Sequence, residues 1–248
     1  MIRIRAVCVA VLACALAASA TARDVTVAVA ANFTDPARDI AAAFERKTHN
    51  HVVMSFGPSG GFLSQIENGA PFEILLSADS DRPATLEADG YGVINTRFTY
   101  ATGGLVLWSA TPGVAVADGA ILARGDFVHL AIADPASAPY GAAAVATLKK
   151  LGVYAAVAPK IVTGTSIAQA YGFVDSGSAE IGFVALSQVY RSPRGSIWYV
   201  PDDDHAPIDQ QAILLEAGAA DPAAKAYLAF LKSPEATAII TSYGYKVH

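Results

Sequence analysis

The sequence predicts an α/β protein of two lobes, each a mostly parallel sheet flanked by helices. Short apolar runs alternate with stretches of helical spacing in two successive groups, the pattern of strand–helix units that wind a parallel sheet. Two longer extended runs, near 98–108 and 205–215, stand where the chain would cross from one group to the other and back. If the C-terminal helices return to the first group, lobe 1 comprises 23–103 plus 207–248 and lobe 2 comprises 104–206. The ligand site then lies in the interlobe cleft.

A segment outside the fold precedes these units. Arg3 and Arg5 form a basic start, the run from Ala6 to Ala18 is apolar but too short to span a bilayer, and Ala18-Ser19-Ala20 is a small-residue cleavage signal. Residues 1–22 read as a signal peptide, cut after Ala20 or Ala22. A lipoprotein reading of Val11-Leu12-Ala13-Cys14 would leave too short an apolar run. The Ala/Leu-rich signal looks bacterial, which places the product in the periplasm. Cys8 and Cys14 are both removed with it, so the mature chain has no disulfide, thiolate metal site or cysteine nucleophile.

Loss of residues 1–20 takes away two arginines and no acid, moving the formal charge from −5 to −7. So acidic a chain, without a basic run, argues against nucleic acid as a partner. At 53% hydrophobic residues it has ample core for two lobes.

The mature chain opens with Val25–Ala30, apolar on both faces like a central strand. Residues 32–35 hold several candidate caps, Pro36 suits a first turn, and Ala37, Ile40, Ala41 and Phe44 trace a helical face. Val52–Phe56 is the next strand, followed by a helix from Ser59 that Gly69 stops; Glu73–Ala78 is the third strand. Arg97–Ala110 reads as one long extended run. The alternation then restarts: a strand at His129–Ala133, a turn over 134–141, a helix burying Val145, Leu148 and Leu151, a short strand at 160–162, and a helix capped by Ser166 whose Ile167, Ala170, Tyr171 and Val174 share a face. Strands follow at Ile181–Ala185, Ile197–Val200 and Gln211–Leu215, and helices start at Asp221-Pro222 and at Pro234.

The stretch richest in chemistry is Phe56-Gly57-Pro58-Ser59-Gly60-Gly61-Phe62, a strand end, a glycine-flanked serine and a helix start. Free N–H groups of a first helical turn, with the helix dipole, favour an anion, and the glycines let the backbone approach it. The same residues fit a G-x-S-x-G nucleophile elbow, and also a plain capped helix. Three further turns share the design: Asn32, Tyr140 and the Ser166-Ile167 step each follow a strand and open a helix. Ligands of open α/β sheets lie beyond the carboxyl ends of strands, so two turns from each lobe can face one another across the cleft. Their N–H groups, with side-chain donors from Asn32, Ser59 and Tyr140, suit a small oxyanion. None of the four carries Lys or Arg at its helix start, which disfavours a bulky phosphate ester.

Ala30-Ala31-Asn32-Phe33, Gly57-Pro58-Ser59-Gly60, Gln65-Ile66-Glu67-Asn68-Gly69-Ala70-Pro71, Ser77-Ala78-Asp79, Ala138-Pro139-Tyr140-Gly141 and Gly182-Phe183-Val184-Ala185-Leu186-Ser187 together resemble the periplasmic molybdate-binding proteins of ABC importers, over essentially the whole mature chain. The resemblance implies the two-lobed periplasmic-binding-protein fold, with Asn32, Ser59, Tyr140 and Ile167 on the oxyanion and Ile167 and Ala31 acting through backbone N–H. It also implies that molybdenum is held as the oxyanion, molybdate or tungstate, without direct coordination of the metal and without a cofactor. The implied partners are a cognate permease and ATPase in the inner membrane, served by a monomer. One branch of the family has Ser at the position of Asn32, Ala at that of Tyr140 and a ligand-binding Tyr at that of Ala185; this chain matches the other branch. Pro58 departs from a commoner Ser and removes one backbone donor from the loop.

Two other functions are weighed against this. A hydrolase using Ser59 needs an acid and a histidine after it, for which Asp134 with His205, or Asp203 with His248, are the nominees, neither pair marked by its context. A binder of sulfate or of an organic anion is the other; a carboxylate ligand would want an Arg clamp, and Arg97 is the one candidate near a crossover. Asp79 and Asp134 read as caps or lobe contacts, and His49 and His51 as surface. Asp202-Asp203-Asp204 lacks the spacing and glycine of a calcium loop and reads as a solvated turn.

Overall fold

The computed structural model describes residues 23–191 and 194–247. The signal segment with Cys8 and Cys14, and His248, lie outside the described residues. In chain order the elements are β1 (Asp24–Ala30), α1 (Thr34–Thr48), β2 (His51–Gly57), α2 (Ser59–Glu67), β3 (Ile74–Ser77), α3 (Asp81–Ala88), β4 (Phe98–Gly103), β5 (Leu105–Ser109), α4 (Ala120–Arg124), β6 (Leu130–Ala133), α5 (Pro139–Lys150), α6 (Tyr154–Val157), β7 (Ile161–Gly164), α7 (Ile167–Asp175), β8 (Ile181–Ala185), α8 (Leu186–Val189), β9 (Ser196–Tyr199), β10 (Ile208–Leu214), α9 (Pro222–Phe230) and α10 (Pro234–Thr241).

They build two five-stranded sheets, ordered β2-β1-β3-β10-β4 and β7-β6-β8-β5-β9. β1 runs parallel to β2 and β3, with Val27 beside Met54 on one side and Ile74 on the other; β6 runs parallel to β7 and β8 in the same way. In each sheet the fourth strand alone is antiparallel to its neighbours. The run expected as one extended segment over Arg97–Ala110 is two strands, because Gly103-Gly104 carries the chain from the first sheet into the second. The return passes between β9 and β10, and β10 begins earlier than the apolar run suggested because Ile208 and Gln210 are buried despite Asp209 between them.

Apolar residues on both faces of β1 and β3 are covered from both sides. Val25, Val27 and Val29 pack with Phe33, Ile40 and Phe44 of the first helical segment and with Tyr227 of α9, while Ala28 and Leu75 meet Phe62 and Ile66 of α2. Phe44 meets the Tyr227 ring edge-on at 5.1 Å, which fastens α1 to the returning C-terminal helices. The second sheet has its own core, and this continues to the cleft through Ala30, Ala31 and Ala78 of the first.

Helix starts follow capping rules. Ser166, Asp221 and Ser233 each accept a backbone N–H from the first turn of α7, α9 and α10. The buried face of α5 differs from expectation: it is Ala143, Ala144, Thr147 and Leu148, whereas Val145 is half-buried and Leu151, past the last turn, is 41% exposed. Large residues alone misled there, since close helix–sheet approach favours the alanines. Helices α3, α4 and α6 are short and carry too little periodicity to be read from sequence.

Candidate ligand-binding site

Four turns meet between the sheets. After β1 the chain makes one turn of 3-10 helix, Ala31–Phe33, before α1; Thr34 Oγ1 donates to Ala31 O at 2.8 Å and holds the turn. After β2, Pro58 adopts an extended conformation and Ser59 opens α2. After β6, the Asp134 carboxylate accepts from Ala136 N at 3.0 Å and from Ser137 Oγ at 2.9 Å, organising the loop that delivers Pro139 to the first position of α5 and Tyr140 to the second. After β7, capping Ser166 leaves Ile167 as the first residue of α7.

These turns enclose one pocket, lined by residues 30–32, 57–59 and 78 from the first sheet's side and by 138–140 and 167 from the second's. All five residues singled out in the sequence, Ala31, Asn32, Ser59, Tyr140 and Ile167, border it. The pocket spans ≈ 200 Å³ including its mouth. That suits one compact group. No charged side chain lines it, so its electrostatics come from helix N-termini and their backbone N–H groups.

The polar side chains divide. Ser59, 1% exposed, accepts Ala78 N–H on Oγ at 2.9 Å, which leaves its hydroxyl proton to be donated into the pocket. Asn32 and Tyr140, expected to offer side-chain donors, are engaged behind it instead. Both Asn32 Nδ2 hydrogens are committed, to Gln210 Oε1 and to the Tyr245 hydroxyl, each at 2.9 Å. The Tyr140 hydroxyl accepts from Gln210 Nε2 at 3.2 Å beside the Tyr245 hydroxyl. In this structure what these two residues have left for the pocket is main chain. Sequence reasoning passed over Gln210, Tyr245 and Tyr100, and quoted Ser187 within a motif without giving it a role. The only signal was a glutamine at a core-facing strand position, which looks like any edge residue until the strand's neighbours are known.

Burial pushes the Tyr140 and Tyr100 hydroxyls well above the ordinary tyrosine range and Tyr245 up to about 12. The network is therefore neutral at any ordinary pH. It also joins the lobes, since Ser187 Oγ donates to Asn32 O at 2.8 Å. On the opposite side of the pocket, Gly60 N donates to Ser137 O at 2.9 Å and Arg82 Nη2 to Ala136 O at 3.1 Å. A Cβ on Gly60 would lie 3.0 Å from the Ser137 Cα and carbonyl, so any other residue here would press on the facing lobe. The lobes are shut on one another in this structure.

Remaining candidates fall elsewhere. Arg82, whose guanidinium reaches Ala136 O, is paired with Asp79, whose Oδ1 also accepts from Arg82 N at 3.2 Å in the first turn of α3. Arg97 binds Glu87 and Gln211 and does not line the pocket. Neither Asp134 nor His205 reaches Ser59: Asp134 is occupied in its own loop, and His205 Nδ1 sits 2.7 Å from Ala206 O. Asp202–Asp204 forms a 3-10 turn whose charges pair with Lys246 and Lys150. His51 pairs with Glu45 at the surface.

Two lobes of like winding, closed on a small uncharged pocket at converging helix starts, define a solute-binding protein. Residues 25–246 match the family of bacterial extracellular solute-binding proteins. The chain is 55% identical to the molybdate-binding protein ModA of Azotobacter vinelandii, over 93% of this chain and 92% of that protein. It is 56% identical to ModA of Rhodobacter capsulatus, over 93% and 91% respectively. Among solved structures, a periplasmic molybdate-binding protein of Azotobacter vinelandii superposes with a TM-score of 0.87 at 38% identity, covering 90% of this chain and 99% of that one. The chain belongs to this solute-binding family, in its molybdate-binding (ModA) branch, and it is a binding protein, not a hydrolase.

Proposed function

We propose that this chain captures molybdate, and also tungstate, in the periplasm and delivers it to a cognate ABC permease and ATPase. The observation that carries the proposal is the pocket at four converging turns, with donors but no cation on its walls. A tetrahedral, fully deprotonated oxyanion asks for hydrogen-bond donors on every side and no acceptor. Ser59 Oγ and the backbone N–H groups of Ala31, Asn32, Ser59, Tyr140 and Ile167 are the ligands in this reading. The lobes are 23–103 plus 207–248 and 104–206, and the signal segment ends within the first 22 residues. Donors from both lobes meet one anion only when the cleft is shut, so binding stabilises the closed state. A monomer suffices, since one chain supplies the whole pocket.

Sulfate has the same charge and shape, so discrimination rests on the size of the shut pocket. A thermal unfolding scan of the mature chain with molybdate, tungstate, sulfate and phosphate in turn tests this. Ligand at about a thousand times its dissociation constant adds ~4 kcal/mol, a rise on the order of 10 °C for a chain of this size. A rise with molybdate and tungstate alone is expected. A rise with sulfate as well would remove the size selection, and no rise with any of them would remove the function.

A further inference from the structure

We infer that Gln210 is a positioning residue for the anion pocket, its buried amide tying the turn of Asn32 in one lobe to the helix start of Tyr140 in the other. The inference rests on the oxyanion-binding reading and goes beyond it, because Gln210 lines no wall of the pocket.

Gln210 is fully buried on β10 between Ile208 and Ala212, both apolar and buried. A primary amide at such a position is costly unless every strong group on it is paired. Here they are. Oε1 accepts from Asn32 Nδ2 at 2.9 Å and from the Tyr100 hydroxyl at 3.0 Å, and Nε2 donates to the Tyr140 hydroxyl at 3.2 Å. The pairing of β10 with β4 shifts register between Gln210 and Gln211, a bulge of the kind that re-aims a side chain. Apolar packing alone gives no reason for either the bulge or the amide.

Placement explains both. Asn32 and Tyr140 sit in turns whose backbone borders the pocket, one after β1 and one at the start of α5. Fixing their side chains to one rigid amide fixes the spacing of two main-chain donor groups contributed by different sheets. The bond to Tyr140 lies where the chain crosses between sheets: a Cβ on Gly103 would fall 2.0 Å from the Tyr140 hydroxyl and 2.6 Å from Gln210 Nε2. When the lobes part, Tyr140 moves with the second sheet and leaves a buried amide N–H without its acceptor. Opening is thus opposed by a bond that never touches the ligand, and ligand release must break it.

The test measures molybdate affinity and dissociation rate, with ligand-free melting, for the wild type, Gln210→Met, Tyr140→Phe and the double variant. Each single change is expected to weaken binding roughly tenfold, chiefly through faster dissociation, as for one hydrogen bond of about 1–1.5 kcal/mol lost only on opening. The double variant is expected to be no weaker than the weaker single, because both remove the same bond. A role in folding alone would lower the ligand-free melting temperature and leave the dissociation rate of folded protein unchanged, which would overturn the inference. So would multiplying effects in the double variant. Should Gln210→Met not fold, Tyr140→Phe removes only one oxygen from the same bond, and wild-type dissociation kinetics there would equally overturn it. A wild type that binds no oxyanion fails before any variant is compared, and that result strikes the function and the inference together.

Discussion

The turns after β1 and β2 on one side of the pocket have their counterparts in the turns after β6 and β7 on the other, strands holding equivalent places in the two sheet orders. Their chemistry differs. The first lobe brings polar side chains that are almost wholly buried, Asn32 at 3% and Ser59 at 1% exposure, and sets Gln210, Tyr100 and Tyr245 behind them. The second brings Ala138, Pro139 and Ile167, apolar side chains on main-chain donors, and turns the one hydroxyl among its lining residues, that of Tyr140, away to the crossover. A shared winding has been put to two uses: the first lobe offers an anion a prepared polar seat, and the second closes over it as an apolar cover that adds backbone N–H groups and excludes water.

Substitutions sharpen or break that contrast. The largest effect is expected from Ser59→Ala, which removes the one pocket hydroxyl free to donate and leaves Ala78 N–H without its acceptor. A hydrogen bond to a charged group is worth ~1.5–3 kcal/mol, so molybdate affinity by calorimetry should fall roughly 10- to 150-fold. Ile167→Pro makes the matching deletion in the cover. Proline is tolerated at the first position of a helix, and Ser166 before it is already extended, so the helix survives while one backbone donor is lost. A loss approaching that of Ser59→Ala would show that the cover supplies a true ligand through Ile167; an unchanged affinity would remove Ile167 N–H from the ligand set.

Gly60→Ala probes closure itself. The added Cβ meets the end of the flexible Arg82 side chain, which can move aside, and presses on the Ser137 backbone only when the lobes are shut, at a cost of about 1 kcal/mol, so affinity should fall about fivefold through faster dissociation while ligand-free melting stays level. The smallest effect is expected from pH. Tyr245 titrates near 12 in the fold against 10 for a free tyrosine, and Tyr140 is raised as well, both by burial. Above about pH 10 the unfolded chain loses protons that the folded chain keeps, so stability is full below 10 and declines as pH climbs toward 12. Between pH 6 and 9 these hydroxyls should leave the melting temperature flat, and a slope traced to Tyr245→Phe in that window would break the picture of a neutral network.

The strand–helix grammar was legible because burial on both faces of a parallel sheet leaves continuous apolar runs, as in Val25–Ala30 and Ile181–Ala185. The turns of Asn32, Ser59, Tyr140 and Ile167 were legible too, since caps, glycines and prolines are local chemistry. What misled was also local: on α5 the large Leu151 drew the eye from the alanines that touch the sheet, and one apolar stretch around Gly103-Gly104 concealed a change of sheet.

By itself the sequence determined the class of fold and the turns that border the pocket, because each depends on residues within a few positions of one another. Which atoms those turns present was decided only by the tertiary structure. Asn32 is 178 positions from Gln210 and 213 from Tyr245, and Tyr140 is 70 from Gln210. A side chain's hydrogens go to whatever acceptor folding brings within reach, and no local pattern records a partner that arrives from the far end of the chain.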